Sequence, residues 1–305
     1  MLSQVQFVCF AASYLVALVL EISRLFLRVP IRNIVAIGFT AAGLLAHTIY
    51  LVMRSVRDQE VSPPLSSWYD WLLLASWGIA FVYLFTVVRR PQAALGIFIL
   101  PVVLILVGIA YLFQDVPPFP RDRALVAWGF VHGIALLLGV ISATLGFVAG
   151  VMYLVHSYRL KHKVPPRQGL RLPSLEWLQR YNQRALIVSP CLLGVGLLSG
   201  VVMNLLKFDQ GMAWTDPVVW TSGLLLLWLI SALVFEVTYK PAQQGRKVAY
   251  LTVASFVFLG FVLAIVLWVP SDHASPDASN AFSPETIVDP SATDAEPTTG
   301  DGGGR

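Results

Sequence analysis

Residues 124–157 read ALVAWGFVHGIALLLGVISATLGFVAGVMYLVHS, thirty-four positions without one Asp, Glu, Lys or Arg. A bilayer core of roughly 30 Å needs about twenty apolar residues in a helix, and this run exceeds that length. It lacks the strict alternation and turn punctuation of an outer-membrane barrel strand, so it reads as a transmembrane helix.

Working outward, similar runs fall at about 4–22, 34–53, 66–88, 92–114, 183–206, 217–239 and 247–269. The expected fold class is an all-α polytopic membrane protein, a bundle of about eight transmembrane helices occupying residues 1–270. Composition agrees, because 57% of the 305 residues are hydrophobic and only 12% are charged, too few charges to keep a soluble domain of this size in solution. The first run starts almost at Met1 with no basic segment before it, and Arg24, Arg28 and Arg32 follow it. That order is the reverse of a secretory signal and suits an uncleaved anchor. Cys9 and Cys191 sit in different runs without a C-x-x-C pair, which suggests neither a thiol relay nor a zinc site and leaves them as small apolar core residues.

Lys and Arg accumulate in the cytoplasmic loops of membrane proteins. The first, third, fifth and seventh connections hold fifteen of the 21 basic residues, and the other side holds Arg54, Arg57, Arg121, Arg123, Lys207 and Arg305. Both termini are therefore expected outside, in a bacterial-type cytoplasmic membrane. Residues 271–305 are rich in Asp, Glu, Ser, Thr, Pro and Gly, a composition unable to bury enough surface to fold, and read as a disordered extracytoplasmic acidic tail. The net charge of +4 is accounted for by topology, which sets nucleic acid aside as a partner.

Ionisable residues inside a bilayer are costly and are functional candidates. His47 lies about six residues short of the outer end of the second run, and His132 about eight residues into the fifth. At ~1.5 Å per residue both lie roughly 9 to 12 Å below the outer boundary. His132 heads a seam continued by Leu136, Gly139, Ala143, Gly146 and Gly150, whose small residues let another helix or a flat ligand approach the backbone closely. The seam is expected to face the bundle. His156 and His162, among basic residues six apart, read as solvated. His273 follows the last run at the outer surface.

The sixth connection, Lys207-Phe208-Asp209-Gln210-Gly211-Met212-Ala213-Trp214-Thr215-Asp216-Pro217, faces outward, with Trp220 beyond it. Interfacial tryptophans commonly form an anchoring belt, which accounts for Trp68, Trp71, Trp128 and Trp268. Around an Asp-Pro turn, Trp214 and Trp220 also suit the wall of an apolar platform. Histidines in the outer half, aromatic walls and nearby cations together fit haem: imidazoles for the iron, apolar lining for the macrocycle, and Arg121 and Arg123 for the propionates.

These residues carry a resemblance. Gly43–Leu51 (GLLAHTIYL), Pro63-Pro64-Leu65 and Trp68-Tyr69-Asp70-Trp71, the stretch from His132 to Lys161, Leu172-Pro173-Ser174-Leu175-Glu176, and Trp214-x-Asp216-Pro217 are similar to segments of the cytochrome c assembly family. That family is the CcsA, CcmC and HemX group of haem-handling membrane proteins. The resemblance runs to about residue 273. It implies a haem-binding protein of cytochrome c biogenesis that presents haem at the outer face on the Trp loop, including Asp216 and Pro217, with His132 and His273 as iron ligands and His47 as a buried histidine. Glu236 stands where CcsA-type members carry a second buried histidine, which favours a HemX-like or divergent member.

Implied partners are haem, apocytochrome c, other assembly membrane proteins and the lipid bilayer. Handing over haem requires no protein nucleophile, so the chain is expected not to be an enzyme in itself but a component of a haem-attachment system. Two alternatives of other classes are a small-solute or ion transporter using His47, His132 and Glu236, and a structural subunit that anchors a partner. No internal repeat of the transporter kind is visible.

Overall fold

The computed structural model describes residues 2–26, 31–57, 65–90, 94–116, 126–163, 172–207, 217–238 and 245–268. Among them are eight helices and no strand: α1 (Leu2–Ser23), α2 (Arg32–Arg57), α3 (Trp68–Arg89), α4 (Gly96–Leu112), α5 (Val126–Lys161), α6 (Leu175–Lys207), α7 (Pro217–Thr238) and α8 (Gly245–Trp268). Six of them, all but α1 and α4, are long and apolar enough to cross a membrane; the apolar stretches Phe7–Ser23 of α1 and Gly96–Leu112 of α4 are shorter. The expected polytopic helical fold is therefore what forms. The many exposed Leu, Ile, Val and Phe side chains, Leu45, Ile105 and Phe261 among them, suit a surface facing lipid.

Two groups of helices make up the bundle. In one, α1 packs on α2 and α4, and α3 on α2 and α4; in the other, α5 lies along α6 and also meets α8, while α7 meets α6 and α8. The groups join where α3 and α4 touch α5, and Leu145, Val148, Ala149 and Met152 of α5 share a core with Leu73, Ile79 and Leu100. A second, smaller core gathers Ala143, Leu193, Leu225, Leu229, Leu259 and Val262.

Cross-helix contacts fix the two ends. Arg54 at the end of α2 bonds Asp70 at the start of α3, and His132 near the start of α5 bonds Gly196 late in α6. These mark what we name the upper end. At the lower end, Arg90 after α3 lies over Trp177 early in α6, and Arg246 opening α8 bonds Ser157 late in α5.

The helices depart from the hydropathy limits mainly at the lower end. Residues 175–182 lie in α6 although Glu176 and Arg180 interrupt the apolar run. Ser174 starts this extension, its hydroxyl accepting from the Trp177 N–H and its carbonyl from the Leu178 N–H. Its buried face carries Leu178 and Asn182, and Asn182 joins α5 and α8 through Gly146 O, Thr252 Oγ1 and the Ala249 N–H. Likewise α5 runs on to Lys161, so much of the expected fifth loop is helical.

Two residue-level expectations change. Cys9 and Cys191 are exposed on the bundle surface and not in its core. His162 is exposed, but His156 is half-buried, with Nδ1 enclosed and without a hydrogen-bond partner. It extends the buried face of α5 that carries Met152, one turn earlier, and this removes it from the solvated group.

Candidate functional site

The α5 seam meets protein along its length. A Cβ at Gly139 would lie 2.7 Å from Leu193, at Gly146 2.7 Å from Ala185, and at Gly150 3.3 Å from the Ala249 carbonyl oxygen. Of the two occupants that small residues permit, the structure seats neighbouring helices, α6 and α8, against this face. The complementary surface of α6 is itself glycine-lined: a Cβ at Gly196 would lie 2.5 Å from Leu136, and one at Gly200 would lie 2.9 Å from the His132 ring.

His132 terminates the seam at the upper end. Its Nδ1 lies 2.7 Å from the Gly196 carbonyl oxygen. A carbonyl only accepts, so Nδ1 carries the hydrogen and Nε2 keeps its lone pair. The Ser199 hydroxyl donates to the same oxygen at 2.7 Å, which keeps that acceptor in place. An imidazole held by a backbone carbonyl through one nitrogen is oriented as a ligand through the other. The donor chemistry of His132 thus fits iron ligation.

Trp71 forms the neighbouring wall. A Cβ on Gly133 would run into its indole, so the ring lies directly on the α5 backbone beside His132. The same turn of α3 holds Asp70, which accepts from Arg54 Nε at 2.6 Å, while the Arg54 guanidinium lies 4.6 Å from the Tyr69 ring centre and Tyr69 shares a 2.6 Å hydroxyl bond with Tyr50. Ser67 caps this turn, accepting from the Asp70 N–H. A belt role for Trp71 overlooks this placement. The signal available was Gly133, immediately after the histidine, and Gly196-x-x-x-Gly200 opposite it.

His47 is in a different setting. It is fully buried, with the Phe10 ring stacked parallel at 4.2 Å and the Tyr14 hydroxyl 3.4 Å from Nδ1. Nε2 is enclosed without a hydrogen-bond partner. Nothing in this packing leaves a macrocycle access to the imidazole, so His47 as arranged does not fit haem.

Glu236, buried with Oε2 unpartnered, stands two residues from the lower end of α7. His47, His132 and Glu236 thus occupy three separate environments, and among the described residues no hydrogen bond joins any two of them. Trp220 is exposed on α7. Pro217 opens α7, whereas Trp214, Asp216, Arg121, Arg123 and His273 lie outside the described residues, as does the tail from 271. No group of three His, Cys, Asp or Glu suited to a metal ion occurs among the described residues.

Fold and site together define a multi-pass helical membrane protein that holds an oriented imidazole at one end of a glycine-lined helix pair. Residues 65–272, from the turn before α3 to just past α8, match the family model described as Cytochrome C assembly protein, and the chain belongs to that family. Relatives include the cytochrome c biogenesis protein CcsA of Guillardia theta, 23% identical over 246 residues, which cover 74% of this chain and 81% of that one. CcsA of Gloeobacter violaceus is 21% identical over 302 residues, covering 81% and 88%, and CcsA of Chlorella vulgaris is 24% identical over 268, covering 76% and 80%. These relatives place the chain in cytochrome c biogenesis. No solved structure matches it.

Proposed function

We propose that this protein binds haem as cargo and holds it at the upper end of the bundle, which is the extracytoplasmic face, for delivery to apocytochrome c. The observation that carries this reading is the Nδ1 bond from His132 to the Gly196 carbonyl, which leaves Nε2 directed by a fixed tautomer as an iron ligand. Membership of the cytochrome c assembly family and relatives named for cytochrome c biogenesis support the same process.

In this reading His132 and His273 ligate the iron from the two sides, and Trp214, Asp216, Pro217 and Trp220 supply the loop on which the macrocycle rests. Arg121 and Arg123 pair with the propionates, and Trp71 closes the side nearest α3. The chain's contribution is orientation: it positions the macrocycle while the thiols of the apocytochrome form the bonds. The protein resides in a bacterial-type cytoplasmic membrane with both termini outside, beside other assembly membrane proteins.

The test is an absorption spectrum of protein purified after expression with abundant haem. A Soret band in the wild type and its loss in His132→Ala, with elution volume and thermal stability retained, is the expected result. Full haem content in folded His132→Ala removes the ligand assignment, and a haem-free wild type removes the reading itself.

A further inference from the structure

The turn that opens α3 holds a hydroxyl that the fold leaves unserved. Ser66 is only 1% exposed, and its Oγ has no hydrogen-bond partner among the described residues. A buried hydroxyl in that state is a standing cost and calls for an explanation that an alanine at the same place would not. Serines inside the helices meet the same demand locally. Ser76 and Ser199, also buried, donate to the carbonyls of Leu73 and Gly196 one turn back. Ser66 stands ahead of α3 and has no turn of that helix behind it.

Its place is set from both sides. Before it, Leu65 takes the left-handed conformation at φ 62°, which a leucine adopts only where its surroundings impose it. After it, Ser67 caps α3 and accepts from the Asp70 N–H. With Ser67 as the cap, Trp71 is the fourth residue of the helix, and the residue before a cap meets the fourth residue across it. Ser66 therefore belongs beside Trp71. The Trp71 indole in turn lies on Gly133, the residue after His132. The unserved hydroxyl thus falls at the upper end of the bundle, on the α3 flank of the helix that carries the imidazole.

The charge around this turn favours an anion. The start of α3 carries the positive end of the helix dipole. Asp70 in the same turn would repel a negative group, but its Oδ1 accepts from Arg54 Nε at 2.6 Å while the guanidinium lies over the Tyr69 ring. The pair is neutral as a unit. A hydroxyl donor at a helix N-terminus, with an aromatic wall beside it, suits a carboxylate carried on the edge of a flat apolar body.

We propose that the turn from Ser66 to Trp71 is a carboxylate subsite of the outer site: Ser66 Oγ donates to one propionate of the haem held by His132, and Trp71 lines the macrocycle beside it. The second propionate is left to Arg121 and Arg123. This inference rests on the haem reading of that site and adds to it a preference for macrocycles with free carboxylates.

The test compares haem with its dimethyl ester, which keeps the iron and the ring but has no carboxylate. Both are titrated by Soret difference spectra into the full chain in nanodiscs of zwitterionic lipid. Ser66→Ala should weaken haem about tenfold, the size of a hydrogen bond to a charged group, and leave the ester unchanged. Ser66→Cys keeps the size and weakens the donor, so it carries the same expectation should Ser66→Ala fail to fold.

Equal affinity of the wild type for haem and ester overturns the proposal. So does an equal effect of the Ser66 substitutions on both ligands, which would leave the start of α3 to another anion such as a lipid phosphate. Either result leaves the haem reading standing, since haem is still bound. A wild type that binds neither ligand overturns both.

Discussion

His47 and His132 are both histidines placed within apolar helices, yet they sit in halves of the molecule packed by different chemistry. Around His47 the four helices α1–α4 meet through rings, hydroxyls and the Arg54–Asp70 ion pair, by way of Phe10, Tyr14 and Trp77, while the buried Glu21–Arg24 ion pair closes the lower end of α1 within its own turn. Around His132 the α5–α6 pair is held by absence of side chain, with glycines on both helices bringing backbones together. The first chemistry encloses its histidine and leaves a nitrogen unserved. The second brings a backbone carbonyl within reach of the imidazole and so fixes its tautomer. In lipid, where apolar burial does not drive helix association, both are workable solutions, but only close backbone approach orients a ligand.

The comparison breaks most readily at the ion pair. Arg24→Leu leaves the buried Glu21 without its nearest cation, and should destabilise the protein by about 3–5 kcal/mol, the usual cost of removing one member of a buried pair. Glu21→Leu combined with Arg24→Leu should return most of that loss, because no uncompensated charge remains. Thermal unfolding of the purified single and double variants, arranged as a cycle, checks this. A double variant as unstable as the single one would show that the pair does more than neutralise itself.

The glycine half is probed by a matched contrast. Gly196→Ala places a Cβ 3.1 Å from the Leu136 backbone nitrogen as well as against its side chain, and should cost about 1–3 kcal/mol through overpacking. Gly223→Ala, on α7 with nothing within 4 Å, should be neutral or stabilise by up to about 1 kcal/mol through helix propensity. The same unfolding measurement separates them. Equal effects would mean that α5 and α6 are not in close backbone contact.

How far these differences were legible in the sequence depends on what carries them. Helix number and order follow from apolar runs, because lipid demands length and excludes charge over that length. The ends of α5 and α6 were not legible, because Ser174 and the buried Leu178–Asn182 face sustain a helix that has already left the apolar run. His132 stood out as an imidazole among apolar residues. Its partner did not, since a backbone carbonyl has no letter in the sequence and only the spacing of Gly196 and Gly200 hints at it. The enclosure of His47 was equally hidden: Phe10 and Tyr14 look like ordinary apolar residues of a separate helix until α1 lies against α2.

The smallest effect gives the most even-handed comparison, because each half contains one tryptophan that donates to a hydroxyl on a neighbouring helix. Trp77 Nε1 reaches Thr48 Oγ1 at 2.8 Å, and Trp228 Nε1 reaches Ser255 Oγ at 3.2 Å. Both indoles also lie near a phenylalanine, Phe81 at 5.6 Å and Phe258 at 5.5 Å between ring centres, so a Phe substitution removes the donor in either place while keeping a ring. Interhelical side-chain hydrogen bonds in membranes average about 0.6 kcal/mol. Trp77→Phe should exceed that and Trp228→Phe fall below it, since the Thr48 hydroxyl already donates to the Leu44 carbonyl and has its lone pairs turned toward the indole. If unfolding of the two variants gives the reverse order, the polar ties between α2 and α3 are not what steadies the helix that carries His47.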